Sequence, residues 1–391
     1  MVSSKKIIGG GRMIIKYGAK NYCSFKEWIV VSFELDKNCP EHISEGKSVS
    51  NIMCVKGANG SGKTNALKIL TFLSDFCQNS FSYKPDDKIN VETFFDNDEP
   101  TEFFVDFKFD DSVYRYELVV NNKEVLKEVL FRKLRRFTRV IERSNNNIIF
   151  TTNEFTGIKI IKLRSNASFI STANQYELEV ISPIYRFFSR MLSNVSFWGL
   201  PNNNHSIDFI SEYYQQHQEI FNFVKAYISK FDEDIKNIEI SVRKDEKDKD
   251  VYFPMFKYNV GGNLKYLTYY SQSSGTKSLF KQLAEYKLVL MTGGVLILDE
   301  FDVYLHPHIL PELIRCFVDE SINTNDAQLI FTTHNADILD LMSKYRTILI
   351  NKEDNESYGY RLDEIPGDIL RNDRSLLPIY KSGKIGGVPK L

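Results

Sequence analysis

Two patterns alternate along this chain: short apolar runs bounded by turn residues, and stretches whose apolar positions recur every three or four residues. Asn51–Lys56 is a run of strand length, and Leu67, Leu70, Leu73 and Phe76 recur at helical spacing in Thr64–Ser80 just after it. About Met13–Phe25 and Trp28–Leu35 read as earlier strands. Thr101–Phe109 and Val113–Val120 alternate strongly and meet at Asp110-Asp111-Ser112, a hairpin signature. Val129–Glu142 and Asn147–Thr152 predict a second hairpin around Asn145–Asn147. Helices are predicted over about Glu177–Ser193, with Ile181, Ile184, Phe188 and Met191 on one face, and over about Ile207–Phe231, with Ile210, Tyr214 and Phe221 apolar. These two are candidates for a projecting helical arm. Arg243–Asp250 reads as a solvated hairpin tip, followed by strands Val251–Val260 and Leu264–Tyr270 around Gly261-Gly262. A helix over Lys277–Met291, an apolar strand ending at Leu298 and another over Ala327–His334 complete the pattern. No heptad repeat is sustained, which excludes a long coiled coil.

Composition narrows the class. The 391 residues are 42% hydrophobic and 26% charged, a globular balance. Lys+Arg 50 against Asp+Glu 51 gives no overall pull towards nucleic acid, so only local patches could supply one. The basic stretch Arg132–Arg139 is such a patch, with a solvated strand face as the alternative reading. The five cysteines, Cys23, Cys39, Cys54, Cys77 and Cys316, show no zinc spacing and fit free thiols in a reducing cytosol. No apolar run approaches ~18 residues, so no membrane span is expected. Residues 1–12 read as a loose leader.

The chemistry concentrates at two places. Residues 57–64 read Gly-Ala-Asn-Gly-Ser-Gly-Lys-Thr, a complete phosphate-binding loop between a strand and a helix. Its glycines let backbone N–H groups turn inward around phosphate oxygens. Gly57, Asn59, Gly60, Ser61, Gly62, Lys63, Thr64 and Asn65 are the candidate nucleotide-binding residues. Lys63 would reach the β/γ-phosphates, and the Thr64 hydroxyl would ligate Mg²⁺. Far downstream, Val295-Leu-Ile-Leu-Asp-Glu300 is an apolar strand ending in two acids. Carboxylates at the C-terminal end of a buried parallel strand lie where ligands bind in open α/β sheets. Asp299 is then the second Mg²⁺ partner, and Glu300 the base that deprotonates the attacking water. His334 ends the next apolar strand. It reads either as a structural histidine or as a γ-phosphate sensor that also holds the water. Ser273, as helix N-cap with Gly275 beside it, offers a hydroxyl and open N–H donors to a phosphate, or else is an ordinary cap.

Taken together, the loop Gly57–Thr64, the pair Asp299-Glu300, Leu305-His306-Pro307 and Thr333-His334 resemble the ABC-type ATPases. The resemblance is strongest to the branch of SMC and RecF proteins and the overcoming-lysogenization-defect nucleases. It implies an α/β fold: a P-loop NTPase head of ABC type with an antiparallel β-layer and an inserted helical subdomain. By that resemblance 13–170 is an N-terminal lobe carrying the phosphate loop and β-layer, 171–250 an inserted arm, and 251–391 a C-terminal lobe. It also makes Phe301–His306 a D-loop, His334 the switch residue, and Gln272–Thr276 a departed form of the signature motif. In such ATPases the signature contacts the γ-phosphate held by a second subunit, which implies an ATP-dependent head-to-head homodimer. No glutamine between the hairpins stands out as the Q-loop residue.

The tail Leu370–Pro389, with Pro100–Phe103 and Ser274–Thr276, resembles abortive-infection and RloA-type ATPases. That narrower resemblance implies a cytoplasmic ATP-switched sensor in anti-phage defence, acting with a separate effector protein. The runner-up is a DNA-repair or recombination ATPase that contacts nucleic acid. A self-contained nuclease is disfavoured because no nuclease constellation follows His334. A transporter ATPase is disfavoured by the β-layer and the large insertion.

Overall fold

Residues 11–196, 206–367 and 369–388 are described by a computed structural model. The expected leader lies outside them up to residue 10. In chain order the first elements are β1 (Met13–Lys20), β2 (Ile29–Ser32), the short α1 (Glu41–Ser44), β3 (Ile52–Gly57) and α2 (Lys63–Asn79). A meander follows: β4 (Thr101–Phe109), β5 (Ser112–Val120), β6 (Val125–Lys133), β7 (Phe137–Ser144) and β8 (Asn147–Thr151). Then come α3 (Phe169–Gln175), α4 (Ser182–Phe188), β9 (Met191–Ser193), α5 (Ile207–Gln216) and α6 (Gln218–Phe231). The next strands are β10 (Ile235–Lys244), β11 (Asp250–Val260) and β12 (Asn263–Thr268). The C-terminal part holds α7 (Ser274–Thr292), β13 (Val295–Leu298), α8 (Leu310–Val318), β14 (Gln328–Thr332), α9 (Ile338–Met342), β15 (Thr347–Glu353), β16 (Glu356–Arg361) and α10 (Leu377–Lys381).

The strands build an antiparallel seven-stranded layer, β2-β1-β4-β5-β6-β7-β8, a six-stranded sheet, β16-β15-β3-β14-β13-β9, and a three-stranded sheet, β10-β11-β12. The six-stranded sheet is parallel except where β16 pairs with β15. Its central strands β3, β14 and β13 are buried on both faces, as their apolar runs require. Met53, Val55, Ile297 and Ile330 face α2 and the seven-stranded layer. Ile52, Cys54, Leu296, Leu298, Leu329 and Phe331 face α5 to α8. Leu67, Leu70, Leu73 and Phe76 are all buried, so the apolar stripe of α2 is the one the spacing predicts. The Gln328 amide, fully buried, exchanges hydrogen bonds with Ile14 N–H and C=O at 2.6 and 3.0 Å and stitches β14 to β1. This is the expected α/β head with its antiparallel β-layer.

Three elements differ from expectation. The predicted strand Val129–Glu142 is two strands, β6 and β7, turned at Leu134–Arg136, because a run of adjacent cations stays solvated most easily at a turn. Its charges are partly spent: Arg132 pairs with Glu154 at 2.9 Å, and Arg139 with Glu142. The predicted helix Glu177–Ser193 stops at Phe188. Met191–Ser193 instead pairs in parallel with β13, so a long-range ladder overrides local helical periodicity. The predicted helix Ile207–Phe231 breaks at His217 (φ −119°, ψ 72°) into α5 and α6. These helices do not project as an arm. Tyr214 and Phe221 stack at 5.3 Å, and Tyr214 meets Phe280 of α7 edge-on at 5.0 Å, because their apolar faces need that cover.

Candidate functional site

The phosphate loop leaves β3 and enters α2 through conformations that only glycine takes without strain. Gly60 has φ +72° and Gly62 φ +105°. A Cβ on Gly62 would sit 2.7 Å from Ser24 Oγ and 2.8 Å from Ser357 Oγ, and one on Gly57 would sit 2.3 Å from Ile350 O. Neighbouring strands therefore clasp the loop from outside. Lys63 Nζ donates to Gly57 O at 3.1 Å and Ala58 O at 3.0 Å, which places the ammonium within the turn of the loop. Burial lowers its pKa, while Asp299, Glu300 and Asp302 pull it back up. Asn65 donates to Ser24 Oγ at 2.9 Å, and Asn59 is exposed at the loop tip. Ser61 Oγ is buried without a hydrogen-bond partner among the described residues. An orphaned hydroxyl in a glycine loop beside a buried ammonium fits a phosphate group.

Asp299 closes the site from β13. Thr64 Oγ1 donates to its Oδ2 at 2.7 Å, although the two residues are 235 positions apart. Thr332 Oγ1 donates to the other oxygen, Oδ1, and accepts from Glu300 N–H at 2.8 Å. Asn194, just past β9, fixes the backbone: it accepts from Asp299 N–H at 2.7 Å and donates to Asp299 C=O at 2.9 Å. Asp299 is only 4% exposed, yet a carboxylate held by two hydroxyls keeps acceptor capacity for a divalent cation. Thr64 and Asp299 thus fit a shared Mg²⁺. Glu300 follows in a left-handed conformation (φ 49°), which swings its side chain off the strand direction.

His334 is exposed at the end of the loop after β14. Its backbone N–H donates to both oxygens of Asp302 at 3.1 and 3.2 Å, and Asn335 N–H donates to Asp302 at 3.1 Å. Lys56, buried on β3, holds the same loop by its carbonyls, with Nζ 3.0 Å from Thr333 O and 2.9 Å from Asn335 O. Burial lowers the Lys56 pKa; Cys54 and Asp302 oppose that. The Lys56 ammonium also lies 5.6 Å from the ring centre of Tyr380 on α10.

Ser273 caps α7, accepting from Thr276 N–H at 3.1 Å. Among the described residues it makes no hydrogen bond to the phosphate loop of its own chain. A Cβ on Gly275 would lie 2.9 Å from Tyr304 O, so the helix start abuts the turn that follows Asp299-Glu300.

The structure therefore joins Thr64, Asp299 and the loop directly, sets Glu300 and His334 on adjacent strand ends, and leaves Ser273 on a separate edge. Sequence reasoning missed Asn194, Thr332, Asp302 and Lys56. Asn194 was hidden by the helical pattern running through Ser193. A signal for the others did exist: Thr332 and Asp302 lie within two or three residues of motif positions, and Lys56 is a lysine inside an apolar strand. Among the described residues no helix is long and apolar enough to cross a membrane.

Residues 52–340 match the family described as "AAA domain, putative AbiEii toxin, Type IV TA system". No curated protein matches the sequence. Similar solved structures include the SMC head domain from Thermotoga maritima, at 12% identity and TM-score 0.43, covering 89% of this chain and 98% of that one. Another is the Smc head domain with an extended coiled coil bound to the C-terminal domain of ScpA from Pyrococcus furiosus, at 14% identity and TM-score 0.43, covering 90% and 97%.

Proposed function

Because this chain belongs to the AAA-domain family that takes in AbiEii-type toxins of type IV toxin–antitoxin systems, we propose that it is a Mg²⁺-dependent ATPase that hydrolyses ATP to ADP and phosphate. The observation that carries this reading is the 2.7 Å contact between Thr64 and Asp299, which brings the phosphate loop and the acidic strand end into one site.

In this reading the loop N–H groups and Lys63 bind the β/γ-phosphates. Thr64 and Asp299 hold Mg²⁺, which when bound neutralises charge on the phosphate oxygens. Glu300 takes a proton from the attacking water, and His334 orients that water against the γ-phosphate. Ser273 and Gly275 serve the γ-phosphate of a second copy in a head-to-head dimer; what supports this is that Ser273 bonds within its own helix and not to its own loop. ATP-driven closure of that dimer would switch a separate effector in a cytoplasmic anti-phage system, a role supported by the toxin–antitoxin description of the family. The alternative, an ATPase acting on DNA, would use Lys133, Arg135 and Arg136, which are exposed and make no ion pair among the described residues, whereas Arg132 and Arg139 are paired.

Equilibrium titration with a fluorescent ATP analogue and Mg²⁺ tests the site, with Lys63→Ala expected to abolish binding. Glu300→Gln should keep binding and lower phosphate release at least ~10²-fold. Unchanged affinity in the first variant would remove the loop as the site, and a wild-type rate in the second would place the base elsewhere.

A further inference from the structure

A cavity of about 560 Å³ opens where the C-terminal segment folds back over α9, a volume in the range of small-molecule sites. Four cations line it: Lys344 and Arg346 from the turn after α9, and Arg371 and Arg374 from the C-terminal segment. Two acids line it too, and both are engaged. Asp340 accepts from the Ser375 hydroxyl and the Leu376 N–H, each at 2.6 Å, and Asp373 pairs with Arg371 at 3.2 Å. Lys344 donates to Leu370 C=O at 2.7 Å and, among the described residues, pairs with no carboxylate.

Arg346 is the residue that demands an explanation. It is 9% exposed, its guanidinium donates to Ile43 C=O, and its Nε is buried with no partner. Among the described residues no carboxylate pairs with it. The Ser343 hydroxyl, on the same cavity wall, is also buried and unpartnered among the described residues. Burial pushes the Arg346 pKa below the usual guanidinium range, with Glu45 and Cys39 opposing. A buried cation with no carboxylate at ion-pair distance among the described residues, and only the longer-range pull of Glu45, is stabilised by an anion brought against it. Among the described lining residues, four cations against two carboxylates leave an excess matching a dianion, and guanidinium forks suit phosphate oxygens.

We propose that this cavity binds the terminal phosphate monoester of a nucleotide, at a site separate from the phosphate loop. The ligand would bridge the C-terminal segment and the turn after α9, the helix that continues from the His334 loop. The phosphate could be that of a free mononucleotide or of an oligonucleotide 5′ end.

The test titrates AMP, and a short labelled oligonucleotide with either a 5′-phosphate or a 5′-hydroxyl, against the full chain and against Lys63→Ala, Arg374→Ala and Arg346→Gln. The expected result is that AMP or the 5′-phosphate oligonucleotide binds the full chain and Lys63→Ala equally. Binding should weaken at least ~10-fold in Arg374→Ala and further in Arg346→Gln. Preference for AMP assigns the free nucleotide; preference for the 5′-phosphate oligonucleotide assigns nucleic-acid ends. Arg374 is exposed, so its variant decides the matter if Arg346→Gln fails to fold. The proposal is overturned if neither probe binds at millimolar concentration, or if the 5′-hydroxyl oligonucleotide binds as well as the phosphorylated one. Loss of binding in Lys63→Ala with none in Arg374→Ala would also overturn it, because the phosphate loop alone would then account for the signal.

Discussion

Thr332→Val removes one hydroxyl and almost no volume, so it isolates what that oxygen does for Asp299. The hydroxyl is 1% exposed with its residue, donates to Asp299 Oδ1 and accepts from Glu300 N–H at 2.8 Å. A hydrogen bond to a buried carboxylate contributes about 1.5–3 kcal/mol, and an abandoned buried N–H costs about 1–3 kcal/mol. Asp299 keeps its bond from Thr64, so a net loss of roughly 3 kcal/mol is expected, visible as a fall of several degrees in melting temperature. The functional effect should be more specific. With one of its two hydroxyl supports gone, Asp299 can rotate away from the proposed Mg²⁺ position, and loss of such a supporting partner typically costs about 10–100-fold in metal affinity or activity. Phosphate release measured against Mg²⁺ concentration at saturating ATP should show half-saturation shifted upward by ~10-fold or more. Thr332→Ser, which keeps the oxygen, should behave close to wild type. A Thr332→Val protein with lowered melting temperature but unchanged Mg²⁺ dependence and unchanged turnover would refute the reasoning, leaving the hydroxyl a purely structural role.

Ser273→Arg should leave ATP binding by the monomer intact and prevent ATP-dependent dimerisation, seen by sedimentation; a bulky cation at a helix N-terminus opposes both contact and dipole. Mixing it with Lys63→Ala should restore some phosphate release, and normal turnover by monomeric Ser273→Arg would end the shared-site reading. Lys56→Met removes the ammonium that holds Thr333 and Asn335 by their carbonyls, so kcat should fall ~10-fold or more while affinity for an ATP analogue changes little. Equal loss of both would mean that Lys56 serves the fold alone. Glu285 on α7 is raised to about 7 by burial, so its carboxyl stays protonated in the folded chain after it has ionised in the unfolded one. Its stabilising contribution is whole below pH ~4.5 and lost as pH rises towards 7. Glu285→Gln should therefore raise stability by about 1–3 kcal/mol at pH 8 and leave it unchanged at pH 4, read from denaturant melts; the same gain at both pH values would contradict the assignment.

How much was legible in advance depended on how local the cause was. The loop Gly57–Thr64 was readable because eight consecutive residues carry both its conformation and its chemistry, and Gly62 at φ +105° shows why the sequence could not be otherwise there. The buried stripe of α2 and the hairpin of β4 and β5 were readable because helix and strand periodicities are properties of neighbouring residues. The same local patterns misled where a distant partner competed. Met191 sits on a helical face by spacing, but β13 offered it a parallel ladder, and the ladder won.

By itself, then, the sequence determined a phosphate-binding loop, an acidic strand end, a histidine beyond it and an α/β alternation of elements. Only the tertiary structure decided that β3, β14, β13 and β9 lie side by side in that order, and so that Thr64, Thr332 and Asn194 all converge on Asp299. It also decided that Lys56 grips the His334 loop and that Arg346 is buried with no carboxylate at ion-pair distance among the described residues. The reason is physical: neighbours across a parallel sheet are chosen by crossover and register, which depend on how whole layers pack, whereas spacing along the chain sets only what lies within a turn or two of each residue.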